Sequence, residues 1–333
     1  MPDLPRRDTP AASLLKSSIV WDNHGCMPMR ADASFLPQLE RYRASGTTVI
    51  SLNAGFGGMT LQQHLHVLSF MRRWISARPE SYRLVSTVDD IHACKRDGRL
   101  GVVFDIEGMC PVIDHPSYIQ TFYELGVRWM LIAYNLNNAA GGGCMDDDRG
   151  LTAVGRMLID EMQRVGMVLC LSHCGARTAA ETLEYSRHPV IFSHSNPCGE
   201  TPHRRNVPDT LLVACAAKGG VVGLSGIGPF LGARSDADLL ERLLSQVRYL
   251  LHLVGPDHIG LGLDYVFDRF SLEDNIKRNP ALYPAGLSGG LAMIEPECME
   301  RIAEGLLQEG LGEPQIRGIL GENWLRIAAR VWL

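Results

Sequence analysis

Gly166-Met167-Val168-Leu169-Cys170-Leu171-Ser172-His173 and Pro189-Val190-Ile191-Phe192-Ser193-His194 decide the fold. Each is a short apolar run that stops on Ser-His. Between them, residues 177–186 carry helical spacing. Strand, helix and strand in that order make a parallel pair joined by a right-handed crossover. Six further runs repeat the pattern, at residues 18–24, 47–53, 100–107, 129–135, 219–225 and 258–264. All are apolar on both faces, as strands covered by helices should be. Predicted helices at 34–44, 60–77, 87–97, 117–125, 152–165, 209–218 and 236–254 fill the gaps. Eight such units predict an α/β fold, a (β/α)8 TIM barrel with its core at about residues 18–265. An open doubly wound sheet is the alternative. It would not put eight strand ends around one ring, and no Gly-x-Gly-x-x-Gly loop follows the first run.

Residues 268–290 are polar and rich in Gly and Pro, and read as a loop over the barrel mouth. Extra C-terminal helices are expected at 296–309, 313–320 and 324–331, with a turn at Gly321-Glu322-Asn323. The whole of 1–333 reads as one domain, since barrels of this size form one domain routinely. A net charge of −5 argues against nucleic acid or an anionic membrane as the main partner. Nine cysteines lie scattered, mostly inside apolar runs, and read as reduced thiols. Residues 1–8 carry charge with no apolar core behind them, so no secretory segment is read there. No stretch approaches the ~20 apolar residues of a membrane span. The expected location is the cytoplasm.

The runs end on residues that bind metals. His24 and Cys26 are i and i+2 on the first strand and share a face; imidazole and thiolate both suit zinc. Glu107 closes the third run, with Asp105 two residues before it. His173 and His194 top neighbouring strands ~4.8 Å apart, close enough to share an ion. Asp264, on the eighth run, neighbours the first strand in a closed barrel. It either completes the His24 site or acts as general base on water. Tyr134, Asn135, Asn137 and Asn138 end the fourth run and are candidates for holding a substrate carbonyl. Arg204 and Arg205 sit in a loop at the mouth, where a guanidinium fork suits a carboxylate. Taken singly, each residue also has a structural reading: a satisfied histidine, a buried thiol, a helix-capping Glu, a solvated basic loop.

Several phrases together resemble the renal, or membrane, dipeptidases among the metal-dependent amidohydrolases. They are Asp22-Asn23-His24, Ile106-Glu107-Gly108, Leu171-Ser172-His173, Phe192-Ser193-His194-Ser195, Arg205-Asn206-Val207-Pro208-Asp209, Gly260-Leu261-Gly262-Leu263-Asp264 and Gly321-Glu322-Asn323. The resemblance implies two zinc ions bridged by Glu107, one held by His173 and His194, the other by His24 and residue 26. It implies Arg205 as the clamp on a substrate carboxylate, Asp264 as proton shuttle and a homodimer. Two positions depart from the family pattern. Its first motif is His-x-Asp, and this chain has His24-Gly25-Cys26. Its fourth strand ends on a His, and here Tyr134 stands, a neutral oxyanion donor. A thiolate is a softer ligand and leaves a poorer Lewis acid, or a weak second site.

The expected function is zinc-dependent hydrolysis of dipeptides or similar small amides with a free carboxylate, through a metal-bridged hydroxide. Asp264 and Tyr134 carry the catalysis, Arg205, Tyr134 and Asn138 bind substrate, and His24, Cys26, Glu107, His173 and His194 hold one or two zinc ions. Two alternatives stand beside it: a one-metal hydrolase of a non-peptide amide, ester or lactone, and a catalytically altered small-carboxylate-binding protein.

Overall fold

The computed structural model describes residues 9–284, 286–287 and 291–333. The charged start at 1–8 and positions 285 and 288–290 of the expected mouth loop lie outside the described residues. The strands are β1 (Trp21–Cys26), β2 (Val49–Phe56), β3 (Tyr82–Leu84), β4 (Leu100–Glu107) and β5 (Val127–Leu131). They continue as β6 (Val168–Cys170), β7 (Val190–Ile191), β8 (Val222–Leu224), β9 (Ile259–Leu261) and β10 (Tyr265–Val266). The sheet order is β7-β6-β5-β4-β2-β1-β9-β8. Its neighbours pair in parallel. Phe192, just past β7, pairs in parallel with Val222 of β8. The Phe192 amide donates to Val221 O at 3.0 Å and the Gly223 amide to Phe192 O at 2.7 Å. That seam closes the sheet into a (β/α)8 barrel and excludes the open sheet.

All eight runs supply a barrel strand, and two short strands are additional. β3 pairs with the start of β4, while β5 pairs with its later half. β10 lies beside the end of β1, with Gly25 opposite Tyr265 and Cys26 opposite Val266. Helices begin and end where the sequence chemistry says. Thr60 and Thr87 open theirs with capping boxes, and Gly98 and Gly166 close theirs with φ of 69° and 80°.

Three boundaries differ from expectation. The expected mouth loop holds a helix, Arg269–Arg278. Asp268 caps it by accepting from the Ser271 amide at 3.1 Å, and Arg30 Nη2 donates to Asp268 at 2.8 Å. Of that helix only Ile276 is buried, so its apolar signal was too thin to register against its polar residues. Second, a helix at Pro10–Ser17, capped by Thr9, packs on the helix Met299–Gln308, where Thr9 Oγ1 donates to Glu300 at 3.0 Å. Third, Gly318–Glu322 is a π-type turn running straight into the helix Asn323–Val331.

Alternate residues of a strand share a face. On β4 these are Val103, Asp105 and Glu107, and on β2 Val49, Ser51 and Asn53. Both series run from apolar to polar along the strand, so the barrel interior is dry at one end and chemical at the other. Val49, Val103, Trp129 and Ile191 cluster in the dry part with Trp324 of the last helix. Trp324 lies against Gly223 and Gly260, and its Nε1 donates to Leu261 O at 3.0 Å. The closing seam also depends on Gly262, where an added Cβ would lie 1.9 Å from Ser193 O. Gly262→Ala is therefore expected to cost about 1–3 kcal/mol or more by overpacking. A urea melt should show a lower midpoint at unchanged slope.

Candidate metal centre

The chemical end of the interior is built outward from β2. Ser51 Oγ donates to Asp105 Oδ2 at 2.6 Å, and Asn53 Nδ2 donates to Glu107 Oε2 at 2.8 Å. These bonds fix both carboxylates of β4. Asp105 then faces His24 Nδ1 at 3.4 Å. His24 turns its other nitrogen inward, with Nε2 at 3.8 Å from Glu107 Oε1 and 3.5 Å from Asp264 Oδ1. His173 and His194 each place Nε2 at 3.1 Å from the same Glu107 oxygen, 2.9 Å from one another. His173 Nδ1 meets Asn135 Oδ1 at 2.7 Å, and His194 Nδ1 meets Ser193 Oγ at 2.7 Å. The His24 and His194 rings stack with centroids 4.0 Å apart.

These residues fit a divalent ion. Two ligand atoms bound ~2.0–2.2 Å from one tetrahedral ion sit roughly 3.3–3.6 Å apart. The separations of 2.9–3.8 Å around Glu107 bracket that value. Glu107 Oε1 is buried and has no hydrogen-bond partner, although three imidazole nitrogens converge on it. Among the described residues, His24, Glu107 and His194 bring ligand atoms within 4.8 Å of one another. An ion would have to displace protons from Glu107 and His24, but not from His173 and His194. Burial pushes Glu107 up to about 8, against the pull of His24. Burial opposes a charge on His24, but Asp105, Glu107 and Asp264 outweigh it and raise it to about 10. Burial, with Arg205 and His24 nearby, holds His173 and His194 well below the usual range, neutral as ligands must be.

Only three non-glycine described residues have positive φ: Asn135 (56°), His173 (65°) and Asp264 (61°). All three stand just past strand ends at this centre. Such backbone is sparsely populated outside Asn, Asp and His, and clusters at functional sites.

The remaining candidates surround a cavity of ≈60 Å³ lined by Cys26, Glu107, Tyr134, His173, Arg205 and Asp264. Cys26 is part-buried in its wall, and burial followed by Asp264 and Glu107 pushes its thiol up. Tyr134 stacks on His173 at 4.3 Å, and its hydroxyl hydrogen-bonds Tyr283. Arg205 is 3% exposed. Its Nη atoms donate to Ser195 Oγ at 3.3 Å and His194 O at 3.2 Å, while Nε is buried without a partner. Asn138 is turned away: Nδ2 donates to Ile132 O at 2.8 Å, and Oδ1 accepts from Ala140 and Gly141 amides. It holds its own loop and does not line the cavity, contrary to its expected place in substrate binding. Sequence reasoning missed Ser51 and Asn53, though polar residues at alternate positions of an apolar run were a signal. Tyr283 carried none. A larger cavity of ≈850 Å³, lined by Lys16, Arg43, Lys95 and Arg99 among others, lies at the other end of the barrel and touches none of these groups.

Residues 34–332 match the family described as membrane dipeptidase, peptidase family M19. The chain belongs to the membrane dipeptidase family. The family match begins after His24 and Cys26, so two candidate ligands lie ahead of it. An uncharacterized dipeptidase of Schizosaccharomyces pombe is 30% identical over 274 residues, 79% of this chain and 61% of that one. Dipeptidase verJ of Clonostachys rogersoniana is 28% identical over 275 residues, 80% of this chain and 65% of that one. The chain thus spans about three fifths of the length of these curated relatives. A crystal structure of an amidohydrolase from Pseudomonas aeruginosa aligns over 97% of this chain and 99% of its own, with 27% identity and a TM-score of 0.86. A metallo peptidase from Rhodobacter sphaeroides, liganded with a phosphinate mimic of L-Ala-D-Ala, shares the fold at TM-score 0.75 and 21% identity, over 95% and 100% of the two chains. No helix among the described residues is long and apolar enough to cross a membrane.

Proposed function

We propose that this chain is a zinc-dependent hydrolase of dipeptides or similar small amides that carry a free carboxylate. The observation that carries the reading is Glu107 Oε1, buried and unpartnered, with the Nε2 atoms of His173 and His194 both at 3.1 Å. Glu107, His173, His194 and His24 would hold the ion, which when bound supplies a Lewis acid and lowers the pKa of water. Asp105 keeps His24 facing inward. Asp264 is the proton carrier: burial raises its carboxyl above the usual range, opposed by His24 and Arg205, which brings it nearer working pH. Arg205 offers its unpartnered Nε edge to the substrate carboxylate. Tyr134 walls the cavity, where its hydroxyl would act as a neutral donor to the substrate carbonyl. Relatives carrying the name dipeptidase support the substrate class.

Metal removal tests this. Chelator-treated protein is expected to lose turnover of a dipeptide panel and recover it with zinc, and its melting temperature should rise on zinc addition. Full activity in a metal-stripped sample, verified by elemental analysis, would sink the reading.

Cys26 favours a second reading, because burial, Asp264 and Glu107 push its thiol up and disfavour the thiolate that a second ion would need. Around a single ion, the same cavity suits a non-peptide amide or ester. Robust zinc binding with no turnover of any dipeptide, and turnover of small amides or esters instead, would select it.

A further inference from the structure

We propose that Asn135 is a positioning residue that sets the tautomer of His173 from the mouth of the barrel. The inference rests on reading His173 as a metal ligand. Asn135 Nδ2 lies 2.8 Å from Leu282 O. A backbone carbonyl only accepts, so the amide must turn its NH2 group to Leu282. Its other end, Oδ1, is then the atom 2.7 Å from His173 Nδ1. An amide oxygen also only accepts, so Nδ1 carries the ring hydrogen. Nε2 is left with its lone pair, at 3.1 Å from Glu107 Oε1 where the ligands converge. Leu282 therefore orients the amide, and the amide orients the ligand. Partners of this kind fix which nitrogen of a histidine meets a metal.

The surroundings hold Asn135 to this task. Its backbone is left-handed, at φ 56°, a conformation Asn tolerates. Its carbonyl accepts from the Met145 amide at 2.7 Å, and the Cys144 amide donates to His173 O at 2.9 Å. Arg204 donates to the carbonyls of Cys144 and Met145 at 2.8 and 2.6 Å. The loop after β5, His173 and the arginine loop are thus tied together around one side chain. Leu282 precedes Tyr283, which walls the cavity.

Two variants separate the halves of this proposal, and both tolerate left-handed backbone. Asn135→Asp keeps an acceptor for His173 and places a second acceptor against Leu282 O. Asn135→Gly removes both contacts. On metal-free full chain labelled with 15N-histidine, NMR should show the Nδ1–H tautomer of His173 in the parent and in Asn135→Asp, and a mixture in Asn135→Gly. Zinc affinity should fall roughly 10–100-fold in Asn135→Gly and stay near parental in Asn135→Asp. Hydrogen exchange of the Leu282 and Tyr283 amides should quicken in both. A merely structural Asn135 would shift the melting temperature of both variants without moving the tautomer. Parental zinc affinity in Asn135→Gly, or an Nε2–H tautomer in the parent, overturns the proposal. A parent that binds no zinc fails the functional reading instead, and the tautomer measurement still decides this one.

Discussion

Glu107→Gln is expected to remove turnover almost completely. One buried oxygen of Glu107 faces three imidazole nitrogens at 3.1–3.8 Å. An amide there has no charge to offer an ion, and its NH2 group can take the place of an acceptor. Charge stabilisation by a bound metal is worth several kcal/mol at the transition state. A fall of kcat/KM by at least ~10³-fold is expected, about 4 kcal/mol, together with loss of zinc by elemental analysis. Misfolding predicts something different. The folded-state value of Glu107 is raised to about 8 from an ordinary 4.5, so folding takes up a proton here. Stability from this group is therefore lost as pH rises from about 4.5 through 8. Metal-free Glu107→Gln should then melt at or above the metal-free parent at neutral pH. A variant with parental turnover would remove Glu107 from the centre.

Asp264→Asn carries the second large effect, and it should separate from the first. Asparagine accepts the 61° φ at this position, so the backbone and the Asp264 N–H to His24 O bond at 3.0 Å should persist. What is lost is a carboxyl able to accept and return a proton. General acid–base catalysis contributes ~10²–10⁴-fold, and the fall is expected in kcat with KM little changed. Zinc content should stay parental. Zinc loss instead would recast Asp264 as a ligand, and kcat within about threefold of the parent would end its role as proton carrier.

The barrel was legible in the sequence because its strands fall in eight short, largely apolar runs that each end on a polar residue. Glu107, His173, His194 and Asp264 stood out for that reason, and the structure brings them together. Their supports were less visible. Asn53 pairs with Asp105 in the β2–β4 register yet bonds Glu107, a diagonal contact that depends on a register no single strand encodes. Asn135 and Asn138 lie three residues apart in one polar phrase, but one faces His173 and the other its own loop. Only backbone conformation distinguishes them. The helix Arg269–Arg278 is hard to read in the sequence because much of its hold is polar and distant in the chain: Asp268 to Arg30, Arg269 to Glu295 and Asn275 to Tyr283, with Leu272 and Ile276 its inward apolar contacts.

The strand order has a consequence for how the molecule is born. β1 lies between β2 and β9, with Asp22 opposite Leu261, so the first strand waits for nearly the last. Trp324 must also arrive before the dry end of the interior is filled. Contacts so distant in the chain form slowly, since a long loop must close before they repay its entropy. His24 and Asp264 are on opposite sides of that final joint. On the ribosome, residues 24–194 emerge with all four residues that would hold the ion, and without Asp264. Zinc uptake by a nascent or refolding chain could thus precede ring closure, while proton transfer through Asp264 would wait for it.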